Sequence, residues 1–193
     1  MNITDVLLQV VTVLDRLGVP YVVVGSLASS ARGFPRTTND ADIVADLKRE
    51  NADPLAAALG TEFYVDPAAI ERAITRYRSV NAIHRGSGFK VDIFVPPPDG
   101  FGRQQLARRS REQLDRAGAH KVFVATAEDV VIAKLDWYRA SGGQSDRQWQ
   151  DLVGVIKVQA PAIDREYLRQ WAARLDLSEL LDRALAEAGP GST

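Results

Sequence analysis

The 193-residue chain has no cysteine and two histidines, His84 and His120. Disulfides and thiolate metal centres are thereby excluded, and a histidine-rich zinc site lacks ligands. An excess of one charge is missing too. The 24 Lys and Arg stand against 25 Asp and Glu, a net charge of −1, so composition supplies no bulk attraction to nucleic acid, although local patches stay open. No apolar run approaches the ~18 residues of a membrane span. The amino-terminal MNITDVLLQVV has neither the basic stretch nor the small-residue cleavage site of a secretory leader. The expectation is a cytoplasmic protein with no membrane partner. What is present is ordinary for a globular chain: 46% hydrophobic and 25% charged residues, enough for a full core and a small appendage. Only the Gly189–Thr193 tail, GPGST, reads as disordered.

Hydrophobic spacing sets out the elements. Ile3, Val6, Leu7, Val10, Val11, Val13, Leu14 and Leu17 follow a helical period, and Gly18 stands where a helix-ending glycine belongs. YVVVG, Tyr21 to Gly25, reads as a buried strand, SLASSARG as a short helix, and ADIVADL as a strand. Helices are expected over 50–60 and 67–75, the second with Asp66-Pro67 at its start. Tyr77–His84 and Phe89–Val95 form two strands around Arg85-Gly86-Ser87-Gly88, a hairpin signal. A further pair of strands is expected between Arg108 and Val124, turning at Ala117-Gly118. Thr126-Ala127-Glu128-Asp129 resembles a capping box that opens a helix running to Ala140, and Gly142-Gly143 ends it. From Ser145 onward the chain reads as helices broken at Pro161. The fold class is therefore α+β: a mixed sheet flanked by helices over residues 1–125, then a helical part over 126–193 packed on that core.

The unusual feature is acidic. Asp40 and Asp42 share one face of their strand, because residues two apart point the same way. Two like charges that close are unfavourable unless a cation neutralises them, and a hard ion such as Mg²⁺ takes oxygen ligands. Asp92, inside the apolar KVDIFV, repeats the theme. Alternating Asp is also what a solvated sheet face looks like, so the acids alone leave both readings open. Gly25-Ser26 shifts the balance toward the cation reading. The glycine permits a tight turn after the strand, and the serine offers a hydroxyl and an N–H at a helix N-terminus, a ready anion site. Thirteen residues then lead back to Asp40, room for one short helix and a return into the sheet.

Gly25-Ser26, Asp40-Ala41-Asp42 and a later Asp92 together resemble the nucleotidyltransferase superfamily, the polymerase-beta-like fold. GSLASSARGFPRTTNDADIV is most similar in style to the AbiEii-type toxin nucleotidyltransferases, with Arg36-Thr37 followed by a two-residue extension before Asp40. ATAEDVVIAKLDWYR, and a following helix with Arg147 and Asp151-Leu152, resemble the same branch. The resemblance implies a mixed sheet carrying catalytic Asp40, Asp42 and Asp92, which ligate two Mg²⁺ ions, and an NTP as donor. It implies Gly25 and Ser26 at the phosphates, Lys134 at the triphosphate, and Asp151 orienting Lys134 or the nucleotide; Arg36 either contacts the triphosphate or covers the sheet edge. The implied partners are the NTP and an acceptor: the 3′ end of a tRNA, with a cognate antitoxin protein, or a small hydroxylated molecule of the antibiotic type. A non-catalytic nucleotide-binding module is the remaining alternative.

Several residues have plainer readings. Lys134 lies on an apolar stripe with Val130, Val131 and Trp137, where a lysine must snorkel or pair. Asp136 and Asp146 compete with Asp151 as its partner. The arginines from Arg103 to Arg116 read as a solvated surface, with RNA-backbone contact as the sharper alternative. Trp137, Trp149 and Trp171 are expected in helix–helix packing. His84 and His120 are assigned no catalytic role.

Overall fold

A computed structural model describes residues 1–114 and 121–189. The chain divides into two units, Met1–Leu27 with Thr37–Ala125, and Ala28–Arg36 with Thr126–Thr193.

The first unit is built on a seven-stranded mixed sheet. Its strands are β1 (Tyr21–Val24), β2 (Asp40–Ala45), β3 (Phe63–Tyr64), β4 (Ser79–His84), β5 (Lys90–Phe94), β6 (Ser110–Gln113) and β7 (Lys121–Val124), in the spatial order β3-β4-β5-β2-β1-β7-β6. The pairs β2–β5 and β1–β7 are parallel and the remaining neighbours antiparallel. Helix α1 (Ile3–Arg16) buries Ile3, Val6, Leu7, Val10, Val11, Val13 and Leu14, the face that its sequence period marks out. Asn2 and Asp5 close a capping box at its start, and Gly18 leaves it at φ 65°. Helix α1 packs on β2, β5 and α3 (Ala52–Leu59), and α4 (Pro67–Arg76) packs on α3 and β4.

The strands explain why the acids are tolerated. Along β2, Ala41, Ile43 and Ala45 are fully buried, and their register partners Val91 and Ile93 on β5 are too. Val80 and Ala82 of β4 continue that apolar face. Alternation therefore sends Asp40, Asp42, Lys90 and Asp92 to the opposite face.

In the second unit, α2 (Gly25–Arg32) contributes its last turns. The Gly33–Arg36 segment and helices α6 (Ala127–Ala140), α7 (Asp146–Gln159), α8 (Arg165–Arg174) and α9 (Ser178–Ala188) complete it. Thr126, Ser145 and Asp164 cap α6, α7 and α8 with side-chain oxygens. Gly154 on α7 is a packing glycine: a Cβ there would lie 2.9 Å from the Phe34 ring, and one at Gly33 would lie 2.9 Å from the Val155 nitrogen. Two acids at the start of α6 accept hydrogen bonds from α8 and its N-cap. Tyr167 donates its hydroxyl to fully buried Asp129 at 2.5 Å, and the Asp164 N–H donates to Glu128 at 3.1 Å.

Four local readings are corrected. The strand expected from Tyr77 begins at Ser79, because Tyr77 caps α4 in the left-handed region at φ 51°. Residues 101–108 form a helix, α5 (Phe101–Arg108), ahead of the strand expected from Arg108, with Gln105 and Leu106 turned inward. The two-residue β3 is too short for any period to mark it. Trp137 is 55% exposed and leaves the helix–helix core to Trp149, which packs on Tyr138 and donates to Glu187. The expected Ala117-Gly118 turn, His120 and most of the GPGST tail lie outside the described residues. Among those described, no helix is long and apolar enough to cross a membrane.

Candidate active site

Parallel pairing of β2 with β5 sets Asp42 directly opposite Asp92 and Asp40 opposite Lys90. Since each pair shares a face, the four side chains occupy a two-by-two lattice: three carboxylates and one ammonium. The acids separated by fifty residues of chain between Asp42 and Asp92 are thus neighbours across one ladder step. Antiparallel β1 brings Val24 beside Asp42, and the chain turns into α2 at the next residue.

Gly25 is what lets that turn coexist with Asp42. Its backbone is left-handed, φ 61°, and a Cβ on it would fall 2.0 Å from Asp42 Oδ2 and 2.7 Å from its carboxyl carbon. The Asp42 carboxylate therefore lies against the α-carbon at the N-terminal end of α2, where the helix dipole favours negative charge. Ser26 follows on the first turn of the same helix. Gly25→Ala is expected to destabilise the fold by about 1–3 kcal/mol and to displace Asp42. Gly18→Ala provides the comparison, because Gly18 has a similar φ of 65° with nothing within 4 Å of the added Cβ. In urea denaturation Gly25→Ala should fall below Gly18→Ala, and equal losses would show that only backbone strain matters.

The carboxylates differ in their surroundings. Asp40 is exposed and accepts a hydrogen bond from the Thr38 hydroxyl at 2.8 Å. Asp92 is 15% exposed at its side chain, and its Oδ2 pairs with Lys90 Nζ at 2.7 Å. Its other oxygen, Oδ1, is buried without a hydrogen-bond partner. The Lys90 ammonium is held above its ordinary value by its hydrogen bond to Asp92, against the opposing effect of burial, with further attraction from Asp92, Asp40 and Asp42. Among the described residues no three His, Cys, Asp or Glu side chains converge as a finished metal centre; here Lys90 and Thr38 each hold one of the acids. The donor chemistry nonetheless fits a hard divalent cation. The donors available are carboxylate oxygens, one of them an orphaned buried atom of the kind that a bound ion satisfies.

The second unit holds a separate charged cluster. Arg36 grips Asp151 through Nε at 2.9 and 3.1 Å and through Nη2 at 2.9 Å. Lys134 Nζ donates to Asp151 Oδ2 at 2.9 Å and to Gln148 Oε1 at 2.6 Å. With side-chain exposures of 5% for Lys134 and 10% for Asp151, the lysine pairs inside the protein and does not snorkel. Burial pushes the Asp151 carboxyl upward, but hydrogen bonds and charge from Arg36 and Lys134 outweigh it and hold the group below its ordinary value. Of the competing acids, Asp136 is taken by Arg139 at 2.7 Å.

Two participants escape the sequence reading. Lys90 had a signal, since it lies two residues before Asp92 and so on its face. Gln148 had a weaker one, three residues before Asp151 on α7 and so on the same side of the helix. Of the arginine run, Arg116 lies outside the described residues. Arg103 pairs with Asp46, and the Arg109 and Arg111 guanidinium groups lie 4.5 and 4.9 Å from the Phe123 ring centroid.

The architecture has counterparts among solved structures. The antibiotic-resistance factor ANT(2'')-Ia superposes with a TM-score of 0.61 at 13% identity, over 95% of this chain and 97% of that one. The fold is that of the nucleotidyltransferases. The lincosamide antibiotic adenylyltransferase LnuA, in its lincomycin-bound structure, gives 0.52 at 13% identity over 79% of this chain and 95% of that one. An antigenic nucleotidyltransferase-like protein from Paracoccidioides brasiliensis gives 0.51 at 20% identity over 96% and 93%. No protein-family model matches the chain, and no curated protein matches it. At these identities the nucleotidyltransferase likeness is one of fold.

Proposed function

We propose that this protein is a nucleotidyltransferase that moves a nucleoside monophosphate from an NTP to an acceptor hydroxyl. The observation that carries the reading is the pairing of Asp42 with Asp92 on one sheet face, beside the Gly25 turn. In the reaction the acceptor oxygen bonds to the α-phosphorus, the bond from that phosphorus to the bridging oxygen breaks, and pyrophosphate leaves. Asp40, Asp42 and Asp92 would hold Mg²⁺, with Asp42 shared between two ions. When bound, the ions supply charge neutralisation to the attacking and leaving oxygens. Asp92 helps to take the proton of the acceptor hydroxyl while it holds the catalytic ion. Gly25 and Ser26 present the start of α2 to phosphate oxygens. Arg36 and Lys134, both anchored on Asp151, are assigned to the triphosphate on the strength of the sequence resemblance. Little covalent chemistry is asked of the protein, since positioning and charge suffice for such a transfer.

The acceptor has two readings. The AbiEii-like motifs favour a tRNA 3′ end and a toxin with a cognate antitoxin. The fold neighbours include an antibiotic adenylyltransferase and a protein solved with adenylyl-2''-tobramycin, which favours a small hydroxylated acceptor. The intramolecular contacts of three arginines of the basic run support the second: Arg103 pairs with Asp46, and Arg109 and Arg111 lie over the Phe123 ring.

The test is incubation with each α-labelled NTP and Mg²⁺, with total cellular RNA in one arm and a metabolite pool in the other. Label should move to acceptor with one or two of the nucleotides. Transfer to RNA that weakens steeply with salt identifies the nucleic-acid acceptor, because phosphate contacts release counterions. NTP binding by calorimetry with no product in either arm would identify a non-catalytic module.

A further inference from the structure

We propose that Lys90 is the built-in counter-cation of the acidic face, competing with divalent metal for Asp92. The proposal rests on the metal-dependent reading above and extends it to a residue outside the acidic motif.

Three carboxylates on neighbouring positions of two strands repel one another, and a fold that carried them alone would be destabilised wherever metal is scarce. The lattice contains its own remedy. Lys90 stands opposite Asp40 in the parallel ladder, two residues before Asp92, and its ammonium lies 2.7 Å from Asp92 Oδ2. It therefore occupies one oxygen of the carboxylate that the metal reading needs and leaves Oδ1 available. The Lys90 side chain is 38% exposed, so the ammonium has water to move into when another cation arrives. A divalent ion at the same acids meets one positive charge already in place. Its affinity is lowered by that charge, in proportion to the closeness of the two cations.

The experiment measures Mn²⁺ binding to the full chain by electron paramagnetic resonance, with and without NTP, together with thermal melting. Lys90→Met removes charge and hydrogen bond; Lys90→Gln retains a donor without the charge. Both should bind Mn²⁺ about tenfold more tightly than wild type, a change of the size expected for one partly screened charge. Both should also melt below wild type without metal and gain more from added Mn²⁺. Lys90→Arg, which keeps the charge, should behave as wild type. Lys90→Met and Lys90→Gln binding Mn²⁺ no more tightly than a binding-competent wild type would overturn the counter-cation role and leave the metal-dependent reading standing. Absence of Mn²⁺ binding in wild type and all Lys90 variants, with NTP present, would overturn the metal-dependent reading itself.

Discussion

Asp42→Asn is expected to lower nucleotidyl transfer by about a thousandfold or more while the protein stays folded. Asp42 joins the face to both neighbouring strands. It is the register partner of Asp92 on one side and of Val24 on the other, and its carboxylate lies against Gly25. The amide is nearly isosteric, so the Gly25 contact survives, while a full negative charge is lost from the proposed cation site. Removing one of several like charges relieves repulsion, so the melting temperature without metal should hold or rise. Loss of activity together with retained melting would separate a chemical role from a structural one. Label transfer equal to wild type would overturn the proposed reaction. Mn²⁺ titration adds an independent readout, since weakened binding is expected even without an acceptor.

The largest stability effect is expected at Asp151, in the other unit. Asp151→Ala removes the carboxylate that buried Lys134 and Arg36 share, and removing one partner of a buried ion pair costs about 3–5 kcal/mol. Asp151→Asn should cost less, because an amide oxygen can still accept from one of the two cations. Lys134→Met combined with Asp151→Asn should recover part of the loss, since the buried cation is gone along with its counter-charge. Urea denaturation of the four proteins checks the series, and a loss under 1 kcal/mol for Asp151→Ala would show that the cluster contributes little. The pH dependence has a definite sign. The folded-state Asp151 carboxyl titrates below its ordinary value of 3.8. Its contribution to stability is therefore present above about pH 4 and is lost as pH falls through the lower folded-state value. Wild type should lose stability in acid, below pH 4, more steeply than Asp151→Asn.

Much of the architecture could be read from periodicity, because burial imposes it locally. The helical stripe of α1, the continuous apolar β1, the alternation of β2 and the glycines after α1 and α6 each follow from a single element facing one core. Where reading failed, the cause was local ambiguity. Arg103–Arg109 carries too many arginines to show α5 as amphipathic, and its inward turn at Gln105 and Leu106 depends on what packs above it. Tyr77 is an aromatic beside an apparent strand, yet its left-handed φ serves the end of α4.

The sequence by itself determined that Asp40 and Asp42 share a face and that a glycine precedes the helix leading to them. Strand alternation and the absent Cβ are properties of a few consecutive residues. Only the tertiary structure decided that Asp92 stands opposite Asp42, that Lys90 takes up one of its oxygens, and that Asp151 is the acid joining Arg36 to Lys134. Those relations depend on strand order and helix packing, which arise from the burial of the whole core and leave no mark at fixed spacing along the chain.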